Sequence, residues 1–301
     1  MSDERRPDLS VVVPSVNGWA DLRGALDALY AQRGGVALEV VVVDRVGEAV
    51  RPNLRRAFPQ AVVIEVTPGV TIPQMRALAF DAARAEIVGV IEDHVIVPPD
   101  WAQRMLAAHA EGAQVVGGAV DNAATGTIVD WAAFLCEYSH CLTPPAKGPA
   151  PWVTGNNVTY RKSLLQRFQG TLRQGRWEDA LHNAFKEAGI ALISEPDISV
   201  GHKKHYSVAE YTSQRYLYSR AYAALRVQGA PFTKRLLYGG AALALPPLIY
   251  WRVVSQVMKS GRYQSELLRS LPLLALFATS WALGEAVGYW RGDGGALAKV
   301  C

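Results

Sequence analysis

The run Val90-Ile91-Glu92-Asp93-His94 places two carboxylates and an imidazole directly after an apolar stretch, Ile87–Ile91, and just before Pro98-Pro99 and Trp101. Such groups are costly to hold beside a core unless something there uses them. The triplet therefore reads as the C-terminal end of a buried strand, the edge at which open α/β sheets bind ligands. Other residues carry chemistry of the same kind. Asp44 closes the apolar run "LEVVVVD", and Glu178-Asp179 open an amphipathic helix, where the dipole favours acids whatever their role. Asn156-Asn157 sit in a glycine-containing turn, and His202 precedes the basic "KKH".

The elements that must position these groups alternate along the chain. "LSVVVP", "LEVVVVD", "AVVIEV" and "EIVGVIED" are short apolar strands; "WADLRGALDALYAQRGG" and "IPQMRALAFDAARA" have helical spacing, the first with a glycine stop. Continuous apolar strands separated by helices imply a mostly parallel sheet with helices on both faces. Beyond them, "AQVVGGAV" reads as a strand and Pro144–Pro151 as a proline-rich loop. "PWVTGNNVTYRKSLL" follows as strand, turn and helix start, "RWEDALHNAFKEAG" as a helix and "IALISEPDISVGH" as a last strand.

Composition bounds the functional classes. The 301 residues are 50% hydrophobic and 19% charged, fitting a globular protein with some membrane character. Formal net charge is +4, but residues 231–301 hold eight Lys/Arg against Glu266, Glu285 and Asp293. That is +5, leaving −1 for the first 230 residues. The basic excess lies in the tail, which argues against nucleic acid as a partner. Cys136, Cys141 and Cys301 have no CxxC spacing and read as reduced thiols of a cytosolic protein; the polar start "MSDERRPD" shows no signal peptide. The chain has neither GxGxxG nor GxxxxGK[ST], so dinucleotide oxidoreductase and P-loop readings lose support.

In their order and spacing, residues 9–230 resemble glycosyltransferase family 2, of the GT-A fold. The family's first strand ends Pro-Thr/Ser-x-Asn, matched by Pro14-Ser15-Val16-Asn17, and its second ends on an Asp, matched by Asp44. Its Arg is matched by Arg76, although the usual following Asn and Gly are Ala77 and Ala79 here. Its Asp-x-Asp, counted back from Trp101, falls on Glu92 and His94. The resemblance implies a GT-A domain over residues 1–230, about 9–120 being the nucleotide-binding half and 121–230 the acceptor half. It implies Pro14, Ser15, Asp44, Arg76, Glu92 and Asp93 as contacts to a nucleotide sugar, UDP-linked in the expected form. It implies Asn156 and Asn157 in a loop beside the acceptor and donor sugar. Asp179, with Glu178 beside it, becomes the general base of an inverting transfer. An Asp-x-His variant resembles that of the polypeptide N-acetylgalactosaminyltransferases, which makes His94, Glu92 and His202 a metal set favouring Mn²⁺ over Mg²⁺. The departures at positions 94 and 77 keep a second reading open: a catalytically inactive GT-A binding or scaffold subunit of an envelope-polysaccharide assembly.

The tail holds two apolar stretches, Leu236–Trp251 and Leu271–Trp290. A bilayer-spanning helix takes ~20 apolar residues, so the second is long enough and the first, with Pro246-Pro247 inside it, is not. A spanning hairpin would export Lys259, Arg262 and Arg269, against the positive-inside tendency. A kinked or interfacial hairpin over 231–301 is expected instead, at the cytoplasmic face of the cell membrane, serving a lipid-linked or polysaccharide acceptor; a soluble packed hairpin is the alternative. The tyrosines and arginines of "YTSQRYLYSRAYAALR" suit a helix at that interface.

Overall fold

The computed structural model describes residues 6–300. Cys301 and the first five residues of the polar start lie outside them. The chain begins β1 (Leu9–Ser15), α1 (Trp19–Tyr30), β2 (Leu38–Asp44), α2 (Arg51–Ala57), β3 (Val62–Glu65), α3 (Ile72–Ala82) and β4 (Ile87–Ile91). It continues β5 (Val95–Ile96), α4 (Trp101–Ala110), β6 (Val115–Asn122), α5 (Ile128–Tyr138), β7 (Gly148–Ala150), β8 (Asn157–Arg161), α6 (Lys162–Arg167) and α7 (Gln169–Leu172). Next come α8 (Glu178–Glu187), β9 (Leu192–His202), α9 (Val208–Arg226), α10 (Phe232–Ala242), α11 (Leu245–Ser260) and α12 (Gln264–Arg291). Two compact units emerge: residues 1–123 with 144–203, and residues 124–143 with 204–301.

The first unit is the α/β body. Its strands lie in the order β3-β2-β1-β4-β8-β6-β9-β5, with β7 also on β9. β1 to β4 are mutually parallel and β8 runs against β4. β6 and β9, parallel to each other, run with the first four, and β5 and β7 run against β9. The sheet is thus mixed but mostly parallel. Every residue of β1 and β4 is buried, so both faces are covered, as the continuous Val/Ile runs require. On one face Val12, Val41, Val43, Val88 and Val90 join Met75 and Phe80 of α3, Leu164 of α6 and Phe185 of α8. On the other, Trp101 of α4 lies over Gly89, where a Cβ would come within 3.1 Å of its ring.

One irregularity aims the last strand. The β6–β9 register jumps from Gly118↔Glu195 to Ala119↔Ser199, so β9 bulges around Pro196–Ile198. A Cβ on Gly118 would collide with the Ile198 carbonyl and the Asn157 amide, which restricts this crossing to glycine. Past the bulge, His202 of β9 pairs with Val95 of β5, the strand that directly follows the acidic triplet.

The second unit is helical and differs from the expected two-helix tail over 231–301. α5 and α9 belong to it, and the first apolar stretch is two helices, α10 and α11, bent by 54°, with Pro246-Pro247 in the first turn of α11. α9 lies along α12: Ser280 Oγ donates to the Thr212 carbonyl, Gly284 abuts the Tyr216 carbonyl, and Gly288 abuts that of Arg220. The tyrosine–arginine helix is thereby an internal partner of α12, which sequence periodicity had no means of showing. α12 is long and apolar enough to cross a membrane by length and composition. In the same unit Cys136 and Cys141 are buried thiols, and His205 pairs with the buried Asp130 at 3.0 Å.

His109 of α4 is buried, with Nδ1 donating to the Ala113 carbonyl and Nε2 accepting from Thr159. Burial above all pushes its pKa from 6.5 down to about 4, the Ala113 bond opposing and the Arg161 charge assisting. The fold therefore holds it neutral, whereas an unfolded chain takes up a proton near pH 6.5. Its contribution is present above pH 6.5 and lost as pH falls towards 4, about 3 kcal/mol in all. Urea unfolding at pH 7 and pH 5 is expected to show a loss of stability that His109→Asn reduces.

Candidate active site

The acidic triplet is anchored by the chain that leaves β1. Asp93 is fully buried; Oδ2 accepts from the backbone N–H of Val16 and of Asn17, both at 2.8 Å, and Oδ1 from Asn17 Nδ2 at 2.6 Å. His94 Nδ1 meets the same Oδ1 at 3.0 Å. Burial pushes the Asp93 carboxyl up, but the bonds from His94, Asn17 and Val16 outweigh it and hold it below its usual range. With Nδ1 donating to a carboxylate, the tautomer of His94 is set and its Nε2 lone pair is turned outward.

What that lone pair faces is the centre of the site. His94 Nε2 lies 2.9 Å from His202 Nε2 and 3.4 Å from Glu92 Oε2, and His202 Nε2 lies 3.9 Å from the same oxygen. The imidazoles are perpendicular, with centroids 4.5 Å apart. Glu92 is steadied by Asn156 Nδ2 at 3.1 Å. The three ligand atoms lie within 4.8 Å of one another, an arrangement that can hold a divalent cation. The donor set fits one: two imidazole nitrogens and a carboxylate oxygen converge, and the hydrogen bond that joins the imidazoles at 2.9 Å can give way to a shared ion.

Behind the cluster stands a buried charge relay. Arg76 of α3 is 6% exposed; its Nη1 donates to Glu178 Oε2 and its Nη2 lies 4.0 Å from Glu92 Oε1. Burial works against both charges of the Arg76–Glu178 pair. Mutual attraction prevails, so the Glu178 carboxyl is held below its usual range and the guanidinium above its own. Arg76 Nε has no hydrogen-bond partner among the described residues, and Arg76 lines a cavity of about 20 Å³ together with Trp177, Glu178 and Tyr160. Gly155 is required beside this pair: a Cβ there would overlap the Glu178 carboxylate.

The expected site residues are thus partly gathered and partly reassigned. Glu92, His94 and His202 converge, with Asn156 against them. Asp93, expected to touch the donor, spends both oxygens inside the protein and positions His94. Glu178, expected beside the catalytic step, is tied to Arg76, whose guanidinium is enclosed between two carboxylates. Asp179 is exposed in the first turn of α8. Asn157, expected in a sugar-facing loop, is fully buried: Oδ1 accepts from Trp101 Nε1, and Nδ2 donates to the carbonyls of Ala119 and Ile198, all at 2.8 Å. Asp44 ends β2 beside Ser15, accepting from the Val46 and Gly47 N–H groups and from Arg51 Nε at 3.1 Å. Pro14 and Ser15 are buried in β1, Ser15 Oγ without a hydrogen-bond partner among the described residues. Arg51 was not legible as a site neighbour, and Asn17 was visible only as a motif letter.

A mostly parallel α/β sheet with its polar site at the carboxyl ends of the strands is the architecture of the GT-A class. Residues 10–167, more than half of the chain, match the model of Glycosyl transferase family 2; the chain belongs to that family and is a glycosyltransferase. The fold is similar to that of the mannosyltransferase PcManGT from Pyrobaculum calidifontis in complex with GDP-Man and Mn²⁺ (TM-score 0.50, 18% identity, 95% of this chain and 74% of that one). It is also similar to S. aureus TarS 1–349 (TM-score 0.52, 14% identity, 94% and 90%) and to TarS 1–349 in complex with UDP (0.51, 15%, 93% and 90%). At these identities the likeness shows the fold. No curated protein matches the sequence at a significant level.

Removing one member of a buried ion pair strands the other. Arg76→Met is expected to lower unfolding free energy by about 3 kcal/mol, the low end for such pairs because Glu178 keeps some exposure. Glu178→Gln, which retains an acceptor for Arg76, loses less; urea denaturation of the two variants measures the difference.

Proposed function

We propose that the protein transfers a sugar from a nucleoside-diphosphate donor, UDP-linked in the expected form, to a hydroxyl of a lipid-linked or polysaccharide acceptor at the cytoplasmic face of a membrane. The observation that carries this is the convergence of Glu92, His94 and His202 at the carboxyl ends of β4 and β9 in a family 2 glycosyltransferase. A divalent cation held there supplies charge neutralisation for the departing diphosphate. Two imidazoles among three ligands favour Mn²⁺ over Mg²⁺, which prefers oxygen and retained water. The like-folded proteins hold ligands of related chemistry, a nucleotide sugar, GDP-Man, with Mn²⁺ in one and the nucleoside diphosphate UDP in the other.

The chain's own groups divide the work. Asp93 holds His94 in the tautomer that presents Nε2, and Asn156 orients Glu92. The Arg76–Glu178 pair braces Glu92 from behind and fixes the start of α8, leaving the neighbouring Asp179 as the general base. The acceptor oxygen attacks the anomeric carbon, its proton passes to Asp179, and the bond from that carbon to the diphosphate oxygen breaks with inversion. Apolar helices of the second unit support association with the membrane that carries the acceptor.

Thermal stabilisation by a panel of nucleotide sugars, with and without Mn²⁺, is expected to single out one donor and to require the cation; EDTA should abolish the shift. Asp179→Asn should retain donor binding while lowering turnover about 10²–10⁴-fold. His94→Ala should weaken metal-dependent donor binding first. Metal-dependent nucleotide binding with no turnover on any acceptor would leave the scaffold-subunit reading instead.

A further inference from the structure

The helical unit carries an uncovered apolar surface with a basic border. From Leu236 to Trp251 the chain has no charged residue, yet Phe232, Leu236, Leu237, Leu243, Leu248 and Trp251 are each 50–70% exposed. Exposure of that extent marks a surface that meets something apolar. What borders it is basic: Lys234 and Arg235 precede the stretch, and Arg252 and Lys259 follow. The unit as a whole holds twelve Lys/Arg against six Asp/Glu, whereas the α/β unit is slightly acidic. Trp251 and Trp290 add the amphipathic rings that settle at a headgroup boundary.

The packing of α12 argues against a span. α9 runs parallel to it at a constant offset, through Thr212–Ser280, Tyr216–Gly284, Arg220–Gly288 and the Arg220 Nε bond to the Gly292 carbonyl at 3.0 Å. By that offset Arg215 is level with Leu283, about 10 Å inside a segment ending at Trp290, and its guanidinium lies 4.1 Å over the Trp281 ring. Arg226 reaches Glu285 at 3.6 Å. Carrying α12 across hydrocarbon would draw these α9 charges in with it, where charges are strongly disfavoured. α10 and α11, bent by 54° at their junction, are together no straight span either.

We propose that this unit is a monotopic lipid-interface module. Its uncharged stretch from Leu236 to Trp251 beds in the headgroup–acyl boundary of an anionic bilayer, its basic border meets the lipid phosphates, and α12 stays on one side. The inference deepens the membrane association put forward above and rests on it, not on the chemistry of the α/β unit.

Flotation of the full-length protein with vesicles tests it. Binding to phosphatidylcholine vesicles containing phosphatidylglycerol is expected, at least tenfold above binding to phosphatidylcholine alone. Leu236→Glu/Leu237→Glu, both at exposed positions, should lose that binding while keeping the melting curve and donor stabilisation of the parent. Absence of flotation, equal flotation on both vesicles, or unchanged flotation of the double variant overturns the proposal. Sidedness is read separately, with Ser265→Cys and Lys299→Cys, each with Cys301→Ser, in sealed membranes probed by an impermeant maleimide. Both positions should label from the same side; labelling from opposite sides establishes a span and overturns it. Intact flotation in a protein that binds no donor would instead strike the catalytic reading alone.

Discussion

The whole site hangs on one buried carboxylate. Asp93 has no access to water, and a charge in that position persists only because every lone pair is met. Two backbone N–H groups and an amide from the chain leaving β1 meet it from one side, and His94 from the other. The bond to His94 couples folding to chemistry, since it decides which ring nitrogen carries the proton. Remove it and both tautomers compete, with the donor nitrogen of one aimed at His202. The residue between the two outward-facing ligands is therefore the one that turns a strand end into a binding site.

Much of this was legible in residue order. The apolar runs that stop on Asp44 and Glu92 fall at strand ends because buried parallel strands read as unbroken Val/Ile stretches. Glu178 and Asp179 fall at a helix start, as their position before an amphipathic pattern requires. What could not be read was the partner of each polar group. Asn156 and Asn157 are chemically identical neighbours, but the peptide between them turns one towards Glu92 and the other into the sheet. Arg76 looks like a helix-surface charge until α8 supplies Glu178, 102 residues on. β5, two residues long, has no periodicity to detect, although it delivers His202 to His94. The β9 bulge is equally silent in sequence, because it depends on Gly118 facing Ile198 across two strands.

The two units follow different physical rules. In the α/β unit, the buried charges of the site are paired, Asp93 with His94 and Arg76 with Glu178. In the helical unit, close helix contacts come from small residues, Ser280, Gly284 and Gly288, which let α9 approach α12 backbone to backbone. α9 is thereby fixed in register with a helix otherwise apolar enough to enter lipid, and its arginines travel with it. A hydropathy profile sees α12 alone, which is why composition permits a span that packing opposes.

Under the proposed function, an imidazole at position 94, where the family's Asp-x-Asp places a carboxylate, alters the charge of the ligand set. Asp93 and His202 both bond the imidazole, so the position carries its own supporting contacts. The site then carries one anionic ligand, Glu92, and two neutral ones. Arg76 and Glu178 behind it cancel each other and add nothing at a distance. A dication so bound would touch one carboxylate directly, Glu92, and meet the second, Asp93, only through the His94 ring. The support built around His94 is hard to reconcile with a subunit that has given up catalysis.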